Sequence, residues 1–130
     1  MFKTVLFPVD ASRESREAAD VVANIVKTYN SRLVILSVVE KKTESKMSLE
    51  EEVAKLLEGA KALFVQEGIE AEVIEREGIP SFTICDVADE IDASLIVMGS
   101  RGLGLTEEKA SESVANRVIN LSPCPVLVVP

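Results

Sequence analysis

Three glycines follow a short apolar run in "VMGSRGLGLTEEKASESVANRVI", the segment from Val97 to Ile119. Gly99, Gly102 and Gly104 carry no Cβ and adopt positive φ readily, so their backbone N–H groups could close around an anion such as phosphate. Their spacing is GxxGxG, not the GxGxxG of a dinucleotide fingerprint, and the Walker pattern GxxxxGK[ST] is absent. On pattern alone a tight structural turn is the simpler reading. Acids crowd the same stretch: Glu107, Glu108 and Glu112 stand against Arg101 and Lys109.

The second candidate is Asp10, which closes "KTVLFPVD". Its carboxylate either belongs to the turn that follows or accepts a hydrogen bond from a ligand amine or ribose hydroxyl. A receiver-type phosphoacceptor would need further acids beside it and a lysine late in the chain. "FPVDAS" has one acid and no lysine follows Lys109, which excludes that chemistry. The chain has no histidine, and its two cysteines, Cys85 and Cys124, form no CxxC. Zinc binding and nucleophile-histidine catalysis therefore lack material, and both cysteines read as reduced packing residues. No second carboxylate is evidently placed to orient a metal or a water, so no catalytic or metal-ligating residue is assigned and a weak ATPase is the most that hydrolysis could amount to.

Positioning these residues takes an alternation of short β-branched runs with longer segments of helical period. Lys3 to Val9, Arg32 to Val39, Glu70 to Arg76, Ser94 to Gly99 and Pro125 to Pro130 read as strands. All but the third are nearly continuous hydrophobic runs, as expected where both faces are covered; the third alternates and belongs at an edge. Ala18, Val22, Ile25 and Tyr29 share one helical face, with Ser12 as N-cap. Leu49, Val53, Leu56, Ala60 and Leu63 form a second stripe opened by Ser48, after a polar loop from Lys41 to Met47. Pro80 starts a third helix carrying Ile84, Val87 and Ile91, and Val114, Val118 and Leu121 mark a fourth that stops before Pro123.

This βαβαβαβαβ order predicts an α/β fold: a parallel sheet with right-handed crossovers and helices on both faces. In such a sheet ligands sit beyond the carboxyl ends of the strands, where the strand order reverses. With strand one central, that crevice falls between strands one and four, and the segments after them hold Asp10 and the glycine loop.

At 130 residues, 47% of them apolar, the chain predicts one compact domain over residues 1–130, without repeat or linker. Its apolar runs are far shorter than the roughly 20 residues of a membrane crossing, and "MFKTVLFPVD" lacks the longer apolar stretch and cleavage site of a signal peptide. A cytoplasmic location is the expectation. A formal charge of −8, with 22 acids against 14 bases, opposes attraction to nucleic acid or anionic lipid, so neither is expected as a partner.

Over essentially its whole length the chain resembles the universal stress protein family, through "VLFPVDAS", "LVILSVV", "SLIVMGSRGLG" and "SPCPVLVVP". The resemblance implies a three-layer α/β sandwich with five parallel strands in order 3-2-1-4-5, commonly dimeric through the last strand. Its ATP-binding members carry G-x2-G-x9-G-[ST] around the phosphates, with an aspartate after strand one and a residue late in strand two holding adenine and ribose. Gly99, Gly102 and Ser113 match that motif, Asp10 matches the aspartate and Val38 the strand-two residue. The implied nucleotide-binding set is Pro8, Asp10, Val38, Gly99, Arg101, Gly102, Gly104, Ser113 and Val114, with ATP or AMP as ligand. On its own the apolar "CPVLVVP" is an edge strand limited by Pro125 and Pro130; the resemblance adds a two-fold, antiparallel homodimer. Protein partners other than a second copy are not specified.

One position departs from the motif: its third glycine is replaced by Glu112. With Ser111 as N-cap, Glu112 would fall in the first turn of helix four, where a carboxylate gains about 0.3 to 1 kcal/mol from the macrodipole and occupies the place a phosphate would take. A phosphate charge roughly 5 Å away would be repelled by about 3 kcal/mol at an effective dielectric near 20. The side chain can swing aside, or a divalent cation can bridge it to the phosphates. Two readings stay open: an adenine-nucleotide-responsive module with weakened polyphosphate binding, and a dimeric interaction protein that has lost the ligand. Glu112→Gly is expected to raise ATP affinity at least several-fold by calorimetric titration; equal affinity in the two proteins would remove the repulsion argument.

Overall fold

Aliphatic runs of four to eight residues suit strands covered on both faces, and the longer periodic segments between them return the chain to the start of the next strand. The computed structural model bears this out. It describes residues 2–9, 13–39, 46–99 and 108–130, with side chains from 17, 54 and 114 onward in the helices that begin at 13, 46 and 108. The order is β1 (Thr4–Pro8), α1 (Arg13–Tyr29), β2 (Arg32–Val39), α2 (Lys46–Gln66), β3 (Ala71–Glu77), α3 (Pro80–Glu90), β4 (Leu95–Gly99), α4 (Glu108–Leu121) and β5 (Val126–Val129). The strands form one sheet in the order β3-β2-β1-β4-β5, every pair parallel.

Side chains alternate along each strand and fill two separate layers. Val5, Phe7, Leu33, Ile35 and Val97 pack under Ala18, Val22 and Val26 of α1 and Leu57 and Phe64 of α2. Leu6, Val34, Leu36, Ile96 and Met98 pack under Ile84, Val87 and Ala88 of α3 and Ala115 and Val118 of α4. Both strand edges follow from composition: β3 is buried only at Ala71, and β5 has no fully buried residue.

Three helical expectations are corrected. The helical face of α2 is turned by about one residue: Leu57 and Phe64 are buried, Leu56 and Ala60 half-buried, and Leu63 is 45% exposed. Apolar residues stand side by side at 56–57 and 63–64, so period alone is ambiguous, and the Phe64 ring takes the inner place by meeting Phe7 edge to face at 6.1 Å. Tyr29 and Leu121 are likewise exposed at the last turns of α1 and α4, with Tyr29 set edge to face against Phe2. Helix starts also move: α2 begins at Lys46, ahead of Ser48, and α4 begins at Glu108, ahead of Ser111. Ser12 lies outside the described residues.

Phe64→Ala should lower unfolding free energy by about 3 to 5 kcal/mol, whereas Leu63→Ala should cost about 1 kcal/mol or less. Urea unfolding of both variants checks this, and equal losses would refute the assigned face.

Candidate functional site

All five strands run the same way, so their carboxyl ends lie at one end of the sheet, and the order reverses between β1 and β4. The backbone there is set by which neighbour each residue's N–H and C=O face. Lys3 C=O accepts from Arg32 N–H at 2.7 Å, and Thr4 C=O accepts from Ser94 N–H at 2.8 Å. Odd residues of β1 therefore face β2, and Thr4, Leu6 and Pro8 face β4. In β4, Ile96 N–H donates to Pro125 C=O of the β5 side at 3.0 Å, so Leu95, Val97 and Gly99 face β1.

The β1–β4 ladder pairs Val5 with Leu95 and Leu6 with Ile96 and goes no further, although β1 runs on to Pro8 and β4 to Gly99. On their other sides both strands stay paired to those ends, Pro8 with Leu36 and Gly99 with Val129. The next β1–β4 rung would need an N–H from position 8 to Val97 C=O, and proline has none. The hydrogen-bonded ladder thus stops at the switch point, with Pro8 and Gly99 at the ends of its two strands.

Val38 borders the same place. Val9 N–H donates to Leu36 C=O at 2.8 Å, and Val39 C=O accepts from Gly78 N–H at 2.9 Å. Residue 36 therefore faces β1 and residue 39 faces β3, which directs the N–H and C=O of Val38 toward the β1 side, one rung beyond the last described β1–β2 bond. Val38 is half-buried. The bond to Gly78 also seats the start of α3 beside β2. A Cβ on Gly78, whose φ is +155°, would stand 2.5 Å from Thr83 Oγ1, so this junction requires glycine. Sequence reasoning passed over Gly78; its signal was the "GIP" that ends β3 and opens α3.

Of the residues expected at the site, Pro8, Val38 and Gly99 are brought to the carboxyl end of the sheet, where the β1–β4 ladder has stopped. Val114 lies in α4, half-buried against the layer under α3 and α4. Ser113 is in the helical backbone of α4, and its side chain lies outside the described residues, as does that of Glu112. Asp10, Arg101, Gly102 and Gly104 lie outside the described residues altogether. Because α4 starts at Glu108, Glu112 is in its second turn, where the macrodipole is weaker. The capping half of the Glu112 argument is corrected on that point; the charge repulsion does not depend on it.

A groove of about 790 Å³ opens at the opposite end of the sheet, lined among others by Lys27, Asn30, Arg32, Gly68 and Glu72. Two helices end there in left-handed caps, Asn30 after α1 and Gly68 after α2, with Ser31 N–H to Val26 C=O at 3.1 Å and Ile69 N–H to Phe64 C=O at 2.8 Å. Helix C-termini carry partial negative charge and disfavour phosphate. Two of the three lining cations, those other than Lys61, are also engaged: Lys27 pairs with Glu67, and Arg32 is bidentate to Glu72. That hydrogen bond lowers the Glu72 carboxyl pKa and raises that of Arg32.

Both thiols are free, Cys85 buried and Cys124 half-buried, and burial pushes both pKa values up, as expected for packing residues. Among the described residues no three His, Cys, Asp or Glu side chains group to hold a metal, and no helix is long and apolar enough to cross a membrane.

Comparison with known proteins agrees with this architecture. The model of the universal stress protein family matches residues 1–130. A universal stress protein of Synechocystis is 62% identical over 136 residues, an alignment covering 100% of this chain and 87% of the relative. A universal stress protein from Lactobacillus plantarum superposes with a TM-score of 0.85 at 25% identity, over 99% of this chain and 98% of the other. A universal stress protein solved in complex with cAMP superposes at 0.82, also at 25% identity, over 99% and 97%. The chain belongs to the universal stress protein family.

Proposed function

We propose that this protein is an adenine-nucleotide-binding regulatory module whose ligand sits where β1 and β4 part. The observation that carries the reading is the direction of the Val38 backbone: one N–H and one C=O point to the β1 side at the carboxyl end of the sheet, a donor–acceptor pair complementary to the N1 acceptor and N6 amino group of adenine. Pro8 and Gly99 border the same space, Asp10 follows in the chain as a carboxylate for a ribose hydroxyl, and Gly102 and Ser113 keep the family's phosphate motif. Support also comes from the relative of the same fold in complex with cAMP. A nucleotide carrying a single phosphate suits the site better than ATP, because Glu112 repels each added charge.

Mass spectrometry of small molecules released from freshly purified protein is expected to find adenine nucleotide, and titration is expected to show Asp10→Ala weakening AMP binding about tenfold or more, the loss for a hydrogen bond to a charged group. Protein that retains no nucleotide and binds neither AMP, cAMP nor ATP at millimolar concentration would leave the ligand-free interaction protein instead.

The partner of β5 in this reading is a second copy. Pro125 C=O faces β4, so the N–H and C=O of Val126 and Val128 face outward along the edge. Antiparallel pairing of two such edges joins Val126 of one copy to Val128 of the other and sets Leu127 on the two-fold axis, in the non-hydrogen-bonded position where side chains lie closest. Leu127 is 39% exposed in the single chain. Leu127→Lys would place like charges face to face and should convert a dimer to a monomer in sedimentation equilibrium. A parent protein that is monomeric across the micromolar range would refute the pairing.

A further inference from the structure

The missing donor at position 8 has a consequence for ligand entry. We infer that Pro8 is a positioning residue that keeps the crevice open by denying β1 the rung that would draw it against β4. This inference rests on the crevice being the nucleotide site.

Three facts converge on it. β1 is a central strand, where proline is disfavoured because it interrupts a ladder. Residue 8 is one of those whose N–H would face β4 rather than β2, so the interruption falls wholly on the switch-point side and leaves the β1–β2 ladder intact through Pro8 and Leu36. The β1–β4 pairing ends at Leu6 and Ile96, the rung before the one that position 8 would donate to Val97. A residue with an N–H at this place would let the two strands close by one more rung, and a ligand would then have to compete with that closure.

Pro8→Ala supplies the donor. Hydrogen–deuterium exchange followed by NMR should find the amide introduced at position 8 protected at least about tenfold over its unfolded rate, since a ladder amide exchanges only on opening. AMP affinity by calorimetry should fall about tenfold, the worth of one net hydrogen bond that must open before the ligand enters. An α-hydroxy acid at position 8, lactate introduced by nonsense suppression, has an ester oxygen where the N–H would stand and should restore the parent affinity. Free exchange of the new amide would overturn the inference, as would full affinity in Pro8→Ala. So would an ester variant that binds as weakly as Pro8→Ala, because the pyrrolidine ring and not the absent donor would then be what matters. If the parent protein binds no adenine nucleotide, the functional reading and the ligand arm fall together, while the exchange of the position 8 amide still decides whether proline holds the strands apart.

Discussion

Covering a parallel sheet on both faces is the constraint from which the rest of this molecule follows. Parallel neighbours cannot be joined by tight turns, so each strand is followed by a helix that crosses back, and the helices become the cover. Val5, Leu6, Phe7, Val34, Ile35, Leu36, Ile96 and Val97 are at most 1% exposed, and consecutive residues among them enter opposite layers. The two layers are filled differently. Phe7 meets Phe64 under α2, whereas Leu6 lies in the layer under α3 and α4, so a slip of one residue in β1 would put a ring where an aliphatic chain fits. Register is therefore fixed by packing, and the directions of the backbone groups are fixed with it.

Those directions give the two ends of the sheet opposite characters. At the amino end two helix C-termini close in left-handed caps, and ion pairs occupy Lys27 and Arg32 of the groove. At the carboxyl end the chain leaves β1, β2 and β4 near one another, a proline stops the central ladder, and Val38 turns its peptide groups toward the β1 side. In the proposed reading, recognition there rests largely on main-chain groups, which tolerate a wide range of side chains around them.

The strands and their parallel sense were legible because short strand-like runs alternate with helical periods, and the alternation in "EAEVIER" placed β3 at an edge, while the order 3-2-1-4-5 came through the family resemblance. What was not legible has local physical causes. In α2, paired apolar residues at 56–57 and 63–64 allow two faces, and only the partner across the layer, Phe7, selects one. The helix starts were tied to serines at 48 and 111, yet the structure opens both helices two to three residues earlier, since a good capping residue also sits inside a helix when the turn before it is helical. At the site, Pro8 and Val38 were picked out through family resemblance, whereas the direction their backbone groups face depends on strand register and cannot be read from residue type. Gly78 left a trace in "GIP" that acquires meaning only once Thr83 is seen against it.

The two borders of the sheet are unequal. β3 presents Glu72, Glu75, Arg76 and Glu77, all exposed, to solvent, whereas β5 presents Val126, Leu127, Val128 and Val129. Charged edges resist strand addition and apolar ones admit it. A sheet with a single permissive border has room for one neighbour and then no free border of that kind, so its association is self-terminating where a sheet open on both sides could polymerise into a ribbon.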